Sequence, residues 1–180
     1  MKKCLIVVDY QNDFVTGSLG FKKAEQLDNR IAEKIEKYRN EDWEIIFTFD
    51  THEENYLNTN EGRNLPVAHC IKGTDGHKLY GKTAKMLKKS DRCFFKSSFG
   101  STELFEHLKA EKFDIVELCG VVTNICVISN AILVKTALPE AEVSVDSACV
   151  ASNDDSLNKS ALDVMQSLQI NVFNNFYFSY

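Results

Sequence analysis

Proline is scarce in this chain: Pro66 and Pro139 are the two in 180 residues. No proline-, glycine- or serine-rich linker, internal repeat or low-complexity tract divides it. One domain over residues 1–180, with room for a sizeable core, is the expectation. Long apolar runs are also missing. None approaches the roughly 20 residues that a membrane-spanning helix needs. The opening Met1-Lys2-Lys3-Cys4-Leu5-Ile6-Val7-Val8 is halted at Asp9, too soon for the apolar region of a signal peptide. Excess positive charge is absent: 21 Lys and Arg against 26 Asp and Glu leave a net charge of −5. That balance excludes a basic footprint for nucleic acid or an anionic membrane surface. The six cysteines (Cys4, Cys70, Cys93, Cys119, Cys126, Cys149) contain no C-x-x-C pair. Several fall inside apolar, strand-like runs, which argues for free thiols in a reducing, cytoplasmic setting over a disulfide framework or zinc ribbon.

What is present is an alternation of short apolar runs and amphipathic segments. Strands are expected over 3–8, 43–49, 93–96, 114–119, 142–146 and 170–173. Helices are expected over 24–39, 101–111, 123–138 and 154–168, each with apolar residues at three- and four-residue spacing or as a continuous buried run. This order predicts an α/β fold: a three-layer, Rossmann-like domain with a mostly parallel sheet of about six strands and helices on both faces. Residues 50–76 break the rhythm. They are polar and aperiodic, and a loop that long in a compact domain usually carries function.

Ligands of parallel α/β sheets bind beyond the carboxyl ends of the strands. The first strand ends at Asp9, the second at Asp50-Thr51-His52, the third at Lys96. The fourth leads through Gly120 to Cys126. Thr123 is placed to cap the following helix, which would put Cys126 in its first turn. There, unsatisfied N–H groups, the helix dipole and a nearby ammonium would all favour thiolate. Cys, Lys and Asp together form a set able to hydrolyse an amide: a nucleophile, a cation beside it and a carboxylate to carry the proton. N–H groups near Val122 and Cys126 could hold the oxyanion. Asp50 and His52, two apart on extended chain, point the same way. With His69 they make a donor set suited to one divalent ion, Zn²⁺ foremost, or Fe²⁺ or Mn²⁺.

With these residues assembled, the chain resembles the isochorismatase-like cysteine hydrolases, and within them the nicotinamidases. The likeness is carried by Val7-Val8-Asp9-Tyr10-Gln11-Asn12-Asp13-Phe14, Phe49-Asp50-Thr51-His52 and His69-Cys70-Ile71-Lys72-Gly73-Thr74. It continues through Lys96-Ser97-Ser98-Phe99, Gly120-Val121-Val122-Thr123-Asn124-Ile125-Cys126-Val127 and Asp146-Ser147-Ala148. The resemblance implies a catalytic triad of Asp9, Lys96 and Cys126, and a non-proline cis peptide between Val121 and Val122 that turns the Val122 N–H toward the oxyanion. It also implies a metal held by Asp50, His52 and His69 that binds the pyridine nitrogen of nicotinamide, the small-molecule substrate. Two departures stand out. The interval 53–68 lacks the further histidine of many nicotinamidases, so the remaining ligand is Glu61, Glu54 or water. Pro66 stands where an aromatic is common, leaving Phe14, Phe99 or Tyr10, beside Val122, to contact the substrate ring. Two other readings are a different small amide or ureido amidohydrolase of this family, and a non-catalytic module with Cys126 as a redox-sensing thiol. The aromatic C-terminal segment 174–180 would pack on the sheet edge or on the partner in a homo-oligomer.

Overall fold

The computed structural model describes residues 1–174; from residue 175 on, the aromatic C-terminal segment lies outside the described residues. The strands are β1 (Lys3–Val8), β2 (Glu44–Asp50), β3 (Arg92–Lys96), β4 (Ile115–Val121), β5 (Glu142–Ala151) and β6 (Asn171–Phe173). They form one six-stranded sheet in the order β3-β2-β1-β4-β5-β6. The pairing is parallel throughout, so the sheet goes beyond the mostly parallel expectation. The helices are α1 (Asn12–Val15), α2 (Lys22–Glu25), α3 (Asp28–Asn40), α4 (Asn60–Asn64), α5 (Gly81–Met86), α6 (Thr102–Glu111), α7 (Ile128–Ala137) and α8 (Asp155–Ser167).

Alternation along β1 explains the three layers, because successive side chains of a strand point to opposite faces. Cys4, Ile6 and Val8 join a core with Leu104 and Leu108 of α6, Ala131 and Val134 of α7, and Met165 of α8. Leu5 and Val7 join a second core with Ile31, Ile35 and Tyr38 of α3. Helices therefore cover both faces. Two of their starts are capped: the Ser101 and Asp154 side chains accept from the N–H groups of Leu104 and Leu157 at 3.1 and 2.9 Å.

Several boundaries differ from expectation. The helix expected over 24–39 is two helices, α2 and α3, separated by Gln26 and Leu27. The expected helix over 123–138 begins as one π-helical turn, Thr123–Val127, and becomes α-helical at Ile128. Val122, not Thr123, is the cap residue, and its carbonyl accepts from both Ile125 and Val127 N–H at 3.0 and 3.2 Å. The Thr123 hydroxyl is buried with no hydrogen-bond partner among the described residues. The polar stretch 50–76 is also more ordered than expected: it holds a 3₁₀ turn, Tyr56–Asn58, and α4, which is capped by Thr59 accepting from Gly62 N–H at 3.0 Å.

β4 runs two residues past its expected end, through Gly120, whose φ is +112°. A Cβ there would lie 2.1 Å from the Val8 carbonyl oxygen in the neighbouring strand. Backbone is in the way and cannot swing aside. Gly120→Ala is therefore expected to destabilise the fold by about 2 kcal/mol or more, read as a lower midpoint in urea denaturation.

Candidate active site

The strand order reverses its direction of growth between β1 and β4, and a crevice opens at the carboxyl end of such a switch point. Asp9 follows β1 with a left-handed φ of +46°, so the chain leaves the sheet there and the carboxylate stays over the crevice. Asp50 and Lys96 are the last residues of β2 and β3 and stand in register with each other. Cys126 arrives from β4 through the π-helical turn, and the Asn130 side chain ties that turn down by donating to the Cys126 carbonyl at 2.8 Å. The Val121–Val122 peptide is cis.

Lys96 is 5% exposed. Its ammonium lies 2.6 Å from Asp9 Oδ2, 3.4 Å from Asp50 Oδ1 and 3.5 Å from Cys126 Sγ, and donates to the Ser98 carbonyl at 2.9 Å. Burial alone would favour the neutral amine, but Asp9 and Asp50 outweigh it and hold the charge firmly on Lys96. Asp9 accepts from Thr48 Oγ1 at 2.6 Å. Its proton affinity is raised by burial, against the opposing pull of Lys96. The thiol of Cys126 behaves differently from the sequence expectation. Burial, then the negative Asp9 and Asp50, push it well above the ordinary thiol value despite Lys96. At rest Cys126 is a thiol with a carboxylate at hand, because the dipole of a short π turn cannot offset removal of the sulfur from water.

Asp50 faces a second cluster with its other oxygen. Asp50 Oδ2 is 3.0 Å from His52 Nε2 and 3.3 Å from His69 Nε2. One ligand atom from each of these three buried residues lies within 4.8 Å of the other two. His69 Nδ1 is 2.8 Å from the Val67 carbonyl, a contact that puts a proton on Nδ1, so Nε2 donates to Asp50 while the ring is protonated and offers a lone pair to a ligand once it is neutral. A carboxylate and two imidazoles with their donor atoms gathered in this way fit a divalent cation. Glu61, on α4, brings Oε1 to 3.9 and 3.8 Å from the same two imidazole nitrogens, whereas Glu54 is exposed.

The long loop places these groups. His52 N–H donates to the Cys70 carbonyl at 3.0 Å and Lys72 N–H to the His52 carbonyl at 2.8 Å, a two-bond ladder that brings His69 beside His52. A cleft of about 930 Å³ opens over the cluster, walled by Thr51, His52, Glu61, Leu65, Ser98, Phe99, Asn124 and Ile125 among others. Of the aromatics expected to meet a substrate, Phe99 lines this cleft and is exposed. Phe14 is buried, its ring centroid 5.5 Å from that of His69. Tyr10 is fully buried and donates to the Ala24 carbonyl at 2.6 Å, away from the site. Val122 is also buried, beside the π turn. Sequence reasoning missed Tyr56, which is fully buried with its ring 4.6 and 4.9 Å from the His52 and His69 rings. A lone aromatic in an otherwise polar stretch was its one signal.

The family model for the isochorismatase domain matches residues 3–174. The chain belongs to the isochorismatase family. Within that family it is 27% identical over 214 aligned residues to the nicotinamidase of Saccharomyces cerevisiae, covering 94% of this chain and 98% of the yeast protein. The crystal structure of the pyrazinamidase/nicotinamidase of Streptococcus mutans superposes with a TM-score of 0.87 at 30% identity, covering 96% of this chain and all of that one. The pyrazinamidase of Pyrococcus horikoshii, solved in complex with zinc, gives a TM-score of 0.84 at 25% identity over 97% and 99% of the two chains. Among the described residues, no helix of this isochorismatase-family chain is long and apolar enough to cross a membrane.

Asp50 has a direct thermodynamic consequence. Burial raises its proton affinity, but hydrogen bonds from His52 and His69 and the charge of Lys96 reverse this and hold the carboxyl well below its ordinary value of 3.8. A lowered folded value stabilises the fold above the ordinary value, and that stabilisation is lost as the pH falls below it. The denaturation midpoints of wild type and Asp50→Asn are therefore expected to differ most near neutrality and to converge as the pH is lowered through about 4.

Proposed function

We propose that the protein is a nicotinamidase: an amidohydrolase that converts nicotinamide to nicotinate and ammonia through a thioester on Cys126. The observation that carries this reading is that one ammonium, Lys96, touches Asp9, Asp50 and Cys126 at once. The amide-cleaving set and the Asp50/His52/His69 set are thereby joined through one ammonium. The likeness to nicotinamidases over nearly the whole chain supports the choice of substrate.

The chain's residues divide the work as follows. Cys126 Sγ attacks the carboxamide carbon while its proton passes to Asp9, whose raised proton affinity suits that transfer. Thiol and carboxylate exchange a proton beside a fixed ammonium, so the net charge of the buried group does not change. Lys96 stabilises the sulfur as negative charge develops on it, and the N–H groups of Val122 and Cys126 receive the oxyanion. Asp9 returns the proton to the departing nitrogen, which leaves as ammonia. Water then gives a proton to Asp9 as it attacks the thioester carbonyl; nicotinate leaves, and the thiol regains its proton from Asp9. A divalent ion, zinc in this reading, would be held by Asp50, His52 and His69 with Glu61 as the further protein ligand, and when bound supplies a Lewis acid for the pyridine nitrogen. Phe99 flanks the substrate ring at the mouth of the cleft.

Ammonia release from nicotinamide by the purified protein tests this directly. Cys126→Ala is expected to lower kcat/KM by roughly 10³-fold or more, and wild-type turnover is expected to fall when the ion is stripped by prolonged chelation. Activity on other small amides or ureido compounds, with none on nicotinamide, would preserve the chemistry and discard the substrate.

Metal affinity itself should depend on pH. Burial lowers the proton affinity of His69, but the Asp50 hydrogen bond and the Val67 carbonyl raise it above the ordinary 6.5. The ligating form is the neutral imidazole. Affinity is therefore expected to weaken on acidification, beginning above pH 6.5, in a chelator-competition titration across the range 5–8.

A further inference from the structure

We propose that Gln11 and Asp13 are positioning residues: they set the spacing of Asp50 and His69, the two arms of the metal site, and tie both to the turn that carries Asp9. The inference rests on the metal reading above and goes beyond it, because neither residue is a ligand.

The need for such a device follows from the sheet. β1 pairs with β2 as far as Val8 opposite Thr48. Asp9 N–H still reaches the Thr48 carbonyl at 3.2 Å, but the chain then turns away with a left-handed φ of +46°. Two residues further along β2, the Asp50 N–H and C=O face the place where β1 would have continued, and no backbone stands there. Gln11 fills that place with a side chain. Its Oε1 accepts from Asp50 N–H at 2.8 Å, and its Nε2 donates to the Asp50 carbonyl at 2.9 Å and to the His77 carbonyl at 2.9 Å. Both amide hydrogens are used, and the residue is fully buried. The side chain thus replaces the missing rung of the ladder, and the amide can satisfy all three partners in one orientation only.

Asp13 secures the other arm. Its Oδ2 accepts from Cys70 N–H at 2.7 Å, next to His69, where Cys70 holds a left-handed φ of +47°. Its own N–H donates to the Gly76 carbonyl at 3.1 Å, and Asn12 donates from its backbone to Lys78 O at 2.8 Å and from its side chain to Asp75 O at 2.7 Å. A Cβ on Gly76 would come within 2.0 Å of Asp13 Oδ2, so the contact depends on glycine at that position. Within three residues, one segment grips the end of β2, the 75–78 turn and the backbone beside His69. Relaxing either grip would let the donor atoms of Asp50 and His69 drift apart while leaving every ligand in the chain.

The test is cobalt binding to the full chain by wild type, Gln11→Met and Asp13→Asn, with circular dichroism and metal-free melting to confirm that each is folded. Gln11→Met keeps length and volume but strips all three hydrogen bonds. It is expected to weaken Co²⁺ affinity roughly 10- to 100-fold and to alter the visible absorption of the bound ion. Asp13→Asn retains an acceptor for Cys70 N–H, so a smaller loss, up to about tenfold, is expected. A residue that merely supported the fold would lower the melting temperature and leave the affinity of the folded protein and the cobalt spectrum unchanged; that result in both variants would overturn the inference. If Gln11→Met does not fold, Asp13→Asn decides alone: reduced affinity supports the proposal, and wild-type affinity overturns it. Failure of the wild-type chain to bind Co²⁺ would overturn the metal reading and this proposal together, whereas wild-type binding matched by both variants would remove this proposal only.

Discussion

A lysine ammonium buried in protein costs several kcal/mol unless it is paired and hydrogen-bonded, and Lys96 meets that condition with partners drawn from separate parts of the chain. Asp9 comes from the end of β1, Asp50 from the end of β2, and Cys126 from the turn after β4, while Lys96 itself ends β3. The four meet because these strands lie side by side in the order β3-β2-β1-β4. The charge is therefore a constraint on the assembly of the sheet as well as a part of the chemistry. Loss of either carboxylate would leave an ammonium whose other partners cannot neutralise it to the same degree.

Asp50 is the joint between two clusters. One oxygen faces Lys96 and the other faces the two imidazoles, so the Asp9/Lys96/Cys126 set and the Asp50/His52/His69 set are one electrostatic unit. The thiol rests protonated first because burial removes the sulfur from water, and then because two buried carboxylates stand against one ammonium. In the proposed reaction the sulfur's proton has only to move to Asp9, which stands against the same Lys96 ammonium. The reaction proposed for this site makes use of that short internal transfer, in place of a standing thiolate exposed to oxidation.

The polar stretch after β2 is held from outside itself. Its 3₁₀ turn and α4 carry Tyr56 and Glu61 to the imidazoles, and its far end is fixed by the segment after β1. Long-range hydrogen bonds to a buried glutamine and an aspartate give a loop without a regular repeat the rigidity that a ligand site requires.

Much of this was legible in the chain. The apolar runs marked the strands, most clearly the central ones, since burial on both faces of a parallel sheet demands continuous hydrophobic residues. The reactive residues were visible at the strand ends, where polarity returns abruptly at Asp9, Asp50 and Lys96. The helix boundaries were less so: Thr123 has the composition of a cap, but a π turn with Val122 as the cap residue overrides local preference. Strand order, the distances among Asp9, Lys96, Asp50 and Cys126, the placement of Phe14 behind His69, and the role of Gln11 belonged to the tertiary structure alone. Periodicity reports which face of an element is buried but not what lies against it, and each of these features is a contact between residues far apart in sequence. By itself the sequence determined the kinds of groups at the sheet edge; the fold decided their distances, and through burial and pairing it decided their charges.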